Sequence, residues 1–326
     1  MICSINYKLD CKKKKTITNS GFKITDANKE LFNNINKNYL ERSIYWSIEL
    51  IISYQYEQLL NKLIYYYFNE INIINPNIIN YIYNEIRILK NKRIEYDKSK
   101  LYHNDQIIRN HMAELVAILT LSLKKKIVKL PKINDGDFDF KNIKPQIWCT
   151  DLNLVNNVIS IYDDKNIIVP LNEIMNILML KNNLVSSEVQ CLYWLSWVFA
   201  YDKQFGKDKV CRTRFVNGVL KQFHTQLIWA LWEAIIYCVK KKYDTTIINL
   251  VLKLYHIYAL DFKISSKSKK QCIIVTTVLI MLDTTPGIKY ESSMYSDYGL
   301  ILRTVMNVNN IYVKTKNIEN SQANYK

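Results

Sequence analysis

An all-α, multi-helix globular protein, with two helical halves joined by an irregular segment, is the fold class this sequence predicts. The first observation is periodic. Leu60, Leu63, Ile64, Tyr67 and Phe68 fill every slot of the i, i+3, i+4, i+7, i+8 pattern, as do Cys191, Trp194, Leu195, Val198 and Phe199, and Ile228, Leu231, Trp232, Ile235 and Ile236. The second is the scarcity of the short alternating runs from which a sheet would be built. The third is that only 6 of 326 residues are glycine, which leaves little material for the tight turns of an all-β chain.

The elements follow in order. Residues 1–37 are polar and rich in Asn and Lys, with "CKKKK" at Cys11 to Lys15, and predict a loose basic leader. An N-terminal helical half is expected over 38–130, where Asn75-Pro76 reads as an N-cap followed by proline at the first helical position. One of its helices is expected near Asp105 to Lys125. Residues 131–185 carry Pro131, Pro145, Pro170 and the acidic "NDGDFDF", and predict an irregular bridge with a faint strand-pair signal around Val158 to Val169. A C-terminal helical half spans 186–315, opening on a Ser187–Gln190 capping box and continuing with helices near Thr245 to Leu260, Lys269 to Leu282 and Tyr298 to Met306; residues 316–326 are a tail.

Apolar residues make up 49% of the chain, enough for a substantial core. The longest apolar runs, "LIWALWEAIIYCV" and "IIVTTVLIML", fall short of the ~20 residues of a membrane-crossing helix, so no membrane partner is expected. The seven cysteines are scattered, odd in number and without a C-x-x-C pair, which favours reduced thiols in the cytosol. A net charge of +16 points to a polyanion such as nucleic acid, against a competing explanation: Lys, Asn, Ile and Tyr are all spelled by A/T-rich codons. Only seven of the 45 basic residues are arginine, the side chain whose planar fork reads phosphates and bases closely.

No glycine falls in G-x-G-x-x-G or G-x-x-x-x-G-K-[ST] spacing, so no ATP or NAD cofactor, and no enzyme built on one, is expected. Asp135, Asp137 and Asp139 alternate, a spacing that lets three carboxylates converge on one cation, but Phe140 and Gln146 stand where a calcium loop needs Gly and Glu, and a solvated acidic loop is the better reading. His103 and His111 lack H-E-x-x-H spacing, while His224 and His256 stand alone; Glu114 suits a buried partner for Arg109 or Arg42 better than an acid catalyst. Lysine clusters at 124–129, 240–242 and 263–270 lie at or after helix ends, where they meet the helix dipole. The best nucleic-acid candidate is Lys203, Lys207, Lys209, Arg212 and Arg214, which alone combines two arginines with Phe205 and Phe215 as stacking surfaces. "ERSIYWSIELIIS" and "CLYWLSWVFAYDK" near-repeat a Tyr-Trp pair; Tyr45, Trp46, Tyr193, Trp194, Trp197, Trp229 and Trp232 are expected in the core or an assembly surface.

The segments "YWSIELI", "IRNHMAELVAILTLS", "YWLSWVFAYDK…CRTRFV", "FHTQLIWALWEAIIY" and "NVNNIY", in that order over about 35–315, resemble a helical protein family of unknown function encoded by nucleocytoplasmic large DNA viruses. Residues 41–84 are also similar to the helical collar segment of clamp-loader-related replication ATPases, without their nucleotide-binding module. Together with the missing phosphate-binding loops and metal spacing, the setting these resemblances imply leads to the expectation of a non-enzymatic scaffold or accessory factor in viral DNA replication or transcription, working in the host cytoplasm or viral factory with viral replication or transcription proteins, nucleic acid or other copies of itself. The alternatives are a metal-dependent enzyme on nucleic acid and a structural virion component.

Overall fold

The computed structural model describes residues 16–96, 105–149, 151–180, 185–206, 211–283 and 297–323. The protein is all-α: 73% is helical, and the described residues contain thirteen α-helices and no sheet. The chain divides into two compact units, the first made of 1–126 with 291–326 and the second of 127–290.

The first unit opens with a backbone turn at 16–23 and five helices, α1 (Ile24–Asn36), α2 (Leu40–Ile52), α3 (Tyr56–Glu70), α4 (Asn77–Tyr96) and α5 (Gln106–Leu121). Helix α1 corrects the expected loose leader. Its apolar residues are few, but Ala27, Leu31 and Ile35 share one stripe and are fully buried against α2. The polar composition of residues 1–37 obscured that stripe. Asn38 and Tyr54 take left-handed backbone (φ 58° and 62°) between α1 and α2 and between α2 and α3, so the chain reverses without glycine. The Asp105 carboxylate caps α5 by accepting from the N–H groups of Ile107 and Ile108.

The second unit begins with an irregular segment containing the one-turn helix α6 (Phe140–Ile143) and several 3-10 turns. Five longer helices follow: α7 (Ile168–Met179), α8 (Val185–Phe205), α9 (Ile228–Lys242), α10 (Thr245–Ala259) and α11 (Lys267–Asp283). The expected bridge thus ends in a core helix. Pro170 sits in the first turn of α7, where its missing N–H leaves no helical bond unmade, and α7 packs on α8, α9 and α11. In place of the strand pair stand 3-10 turns at Val155–Asn157 and Lys165–Ile167. Two buried side chains of α7 fasten the irregular segment: Glu173 accepts from the Trp148 and Cys149 N–H groups (3.1 and 2.8 Å), and Asn172 donates to Asp151 O (2.8 Å). Helix α8 starts ahead of the expected capping box; Gln190 instead donates to Gln146 O.

The chain then returns to the first unit with α12 (Tyr298–Met306), which packs on α5, and α13 (Val308–Ala323), which packs on α2. The domain boundaries therefore differ from two consecutive halves: α12 and α13 complete the N-terminal unit. Glu49, wholly buried on α2, is the fastening point. Its carboxylate accepts from Ser20 N (2.7 Å), Ser20 Oγ (3.0 Å) and Tyr312 Oη (2.6 Å), tying the N-terminal turn and α13 to one helix. The first Tyr-Trp pair lies beside it, Tyr45 stacked on Tyr312 (5.4 Å) and Trp46 edge-on to Phe22 (5.1 Å).

A titrating cluster also belongs to this unit. His111 on α5 meets the buried Glu85 of α4 at 3.1 Å, with Glu114 and Asp105 nearby. The Glu85 hydrogen bond, outweighing burial and helped by the charges of Glu85, Glu114 and Asp105, raises the His111 pKa; burial raises that of Glu114 despite its hydrogen bond from Tyr81. A histidine bound more tightly to its proton in the folded state stabilises fully below its unfolded pKa of about 6.5 and loses that contribution as pH rises through the folded value. Glu114 acts in the same direction from about pH 4.3 upward. Urea midpoints of wild type should therefore exceed those of His111→Asn by more at pH 5.5 than at pH 8; a gap that widens with pH would refute the assignment.

Candidate functional site

Lysines placed near helix ends by the sequence act as caps on carbonyls. Lys124 Nζ donates to Thr120 O (2.5 Å) and Ser122 O (2.7 Å) at the end of α5, Lys242 to Leu178 O (3.1 Å) and Leu180 O after α7, and Lys270 to Tyr258 O (2.7 Å) and Leu260 O after α10. Lys267 pairs with Asp202 at 2.6 Å. Part of the positive charge is thus spent inside the fold.

The arginines of the candidate nucleic-acid loop are spent still more completely. Beyond α8 the segment 211–216 folds back on 224–225, Cys211 N donating to Thr225 O (3.1 Å) and Arg214 N to His224 O (3.0 Å). On such extended backbone residues two apart face the same way, so Arg212 and Arg214 point together. Arg214 Nη1 and Nη2 grip Asp163 Oδ1 and Oδ2 at 2.7 and 2.9 Å, and its Nε donates to Glu233 Oε2 at 2.5 Å. Arg212 Nη2 donates to both Glu233 oxygens at 2.7 Å, and both guanidinium groups reach Val158 O. The Arg214 and Asp163 side chains are 7% and 0% exposed, those of Arg212 and Glu233 39% and 38%.

The protonation of the pair follows from opposing effects. Burial would raise the Asp163 carboxyl, but hydrogen bonds from Arg214, then Ser160 and Arg212, together with the Arg214 charge, hold it below the ordinary carboxylate range. Burial likewise opposes the charge on Arg214, and Asp163 and Glu233 more than restore it. Both groups remain ionised.

This geometry corrects the expectation that Arg212 and Arg214 bind phosphate together: Arg214 is buried in an internal ion pair, and only Arg212 retains an outward portion. Lys203 is exposed near the end of α8, while Lys207 and Lys209 lie outside the described residues. Trp194, Trp197, Trp229 and Trp232 are at most 2% exposed, and Tyr45 and Trp46 are buried by their own chain; Tyr193 is half-buried. The aromatic repeats supply core. Within the acidic loop, Asp137 Oδ2 accepts from Asn134 N (2.7 Å) and Asp139 caps Lys141 N (3.1 Å), while Phe138 lies edge-on to Trp197 and Phe205. Among the described residues no group of three His, Cys, Asp or Glu side chains is placed to hold a metal, and no helix is long and apolar enough to cross a membrane. Cys149, Cys191, Cys211, Cys238 and Cys272 are free thiols; His103 falls outside the described residues.

Sequence reasoning missed Asp163 and Glu233 as partners. The available signal was Glu233 itself, a lone carboxylate in the apolar run "LIWALWEAIIYCV" of α9. Around this node lies a cavity of about 360 Å³ lined by Arg212, Arg214, Phe215, Trp229, Glu233 and Tyr255, among others. Phe215 is 81% exposed and packs edge-to-face with His224 (5.5 Å, 77°). Burial, and then the Glu233 charge, push the Tyr255 hydroxyl up to about 12, so it stays protonated. No family model, curated protein or solved structure matches the chain.

Proposed function

We propose that this protein is a non-enzymatic helical accessory factor of large-DNA-virus replication or transcription, acting in the host cytoplasm by holding single-stranded nucleic acid on its second unit. The observation that carries the nucleic-acid reading is an exposed aromatic ring, Phe215, lining the same cavity as Arg212, whose side chain is 39% exposed, in a chain of net charge +16. Single-strand binding without sequence preference combines these two elements, stacking surface and diffuse positive charge. The viral setting rests on the resemblance of the segments from "YWSIELI" to "NVNNIY".

Equilibrium titration of labelled single-stranded DNA or RNA tests the reading. Affinity should be little affected by sequence, and log K should fall against log salt by roughly 0.7 per phosphate neutralised. Because Arg214 is enclosed, Arg214→Lys, if folded, should leave that slope unchanged. A protein that binds no strand at low salt, or that hydrolyses ATP with magnesium, would overturn the proposal.

A further inference from the structure

We infer that the cavity between α9, α10 and the 211–216 segment is a seat for one unstacked nucleobase, with Phe215 as the stacking surface and the Arg212–Glu233 pair as the polar edge. The inference rests on the nucleic-acid reading above and specifies how a strand would be held.

The walls have the composition of such a seat. Phe215, Trp229, Tyr255 and Ile236 supply aromatic and apolar surface, and Arg212, Thr213, Arg214 and Glu233 supply polar groups. A volume of about 360 Å³ lies at the small end of the range for ligand sites and suits a single planar heterocycle with its sugar at the mouth. Trp229 is fixed, its Nε1 donating to Phe223 O at 2.7 Å and its ring lying edge-on to Tyr255 (6.1 Å, 83°). Phe215 is the opposite case: 81% of it faces solvent, next to a cavity it lines, and its exposed surface is available for stacking.

Charge also favours a neutral planar ligand over a free phosphate. The node contains two guanidinium groups and two carboxylates, so its formal charges cancel; a phosphate would have to compete with Glu233 for Arg212 and Arg214 together. A base makes no such demand. Arg212 and Glu233, each more than a third exposed, offer a donor and an acceptor along one rim, matching the mixed edges that every base presents. Lysines elsewhere then meet the phosphates, and the cavity takes the ring.

The test compares a labelled 12-nucleotide strand, the same strand built from abasic sites, and free nucleoside monophosphates, against wild type and Phe215→Ala. The exposed position of Phe215 makes that variant foldable, which circular dichroism checks. Wild type should bind the base-bearing strand about fivefold or more tighter than the abasic strand, and Phe215→Ala should remove that advantage while leaving abasic binding unchanged, as expected for the loss of one stacked base. Equal affinity for the two strands, or no effect of Phe215→Ala, overturns the seat while salt-dependent strand binding leaves the nucleic-acid reading standing. Binding of free monophosphates lost in Phe215→Ala, with no strand bound, supports the seat and overturns the nucleic-acid reading, placing the ligand among small nucleotides. No binding of either overturns both.

Discussion

Arg214→Ala will destabilise the 127–290 unit by about 3–5 kcal/mol, the usual consequence of removing one member of a buried ion pair. The loss arises chiefly from what remains. Asp163 has no exposed side-chain surface, and without Arg214 its carboxylate keeps, among the described residues, the Ser160 N–H (2.9 Å), the Ser160 hydroxyl (3.2 Å) and the Arg212 N–H (3.0 Å). Arg212→Ala supplies the contrast. It breaks the pair with Glu233, but both side chains are more than a third exposed, water takes over the carboxylate, and the expected loss is about 1 kcal/mol or less. Urea denaturation with hydrogen exchange in α9 measures both. Similar losses from the two variants would mean that the node is an ordinary surface pair.

Trp194→Ala should cost about 3–5 kcal/mol, whereas Trp148→Ala should change stability by no more than about 0.5 kcal/mol. Trp194 is fully buried in α8, so its removal forfeits both transfer energy and packing around the space left behind. Trp148 is 48% exposed, and its role in fastening the irregular segment runs through its backbone N–H to Glu173, which alanine retains. If Trp194→Ala left the urea midpoint unchanged, the Tyr-Trp helix would have to be a surface element.

Which features were legible in the sequence follows from what periodicity can encode. Helices α2, α3, α8, α9 and α10 announce themselves because large apolar side chains repeat at 3.6 residues through several turns. Helix α1 was hidden because its three fully buried apolar residues are spaced among eight polar ones, and α7 because a proline in its first turn reads locally as a breaker. The node was half legible. Arg212 and Arg214 stood out as the only close arginine pair, but whether such a pair faces solvent or a carboxylate depends on Asp163 and Glu233, which lie 51 and 19 positions from Arg214. Pattern within a window carries no information at that separation. Lys124 and Lys270 meet carbonyls nearby in sequence, within reach of a local reading, whereas Lys242 meets Leu178 O 64 positions away, at the end of a different helix.

The discontinuity of the first unit has a consequence for how the protein is made. Glu49 leaves the ribosome 263 residues before Tyr312, a delay of about 13–50 s at ordinary translation rates. Throughout that interval α2 exists without α13, its carboxylate lacking the phenol that shares its proton-donating shell and Tyr45 lacking its stacking neighbour. The intervening unit, contiguous in sequence, has all its helices before then. The order of synthesis therefore inverts the order of completion: the inserted unit can finish first, while the N-terminal helices wait as a nascent, sticky surface that chaperones of the translating cell are suited to cover.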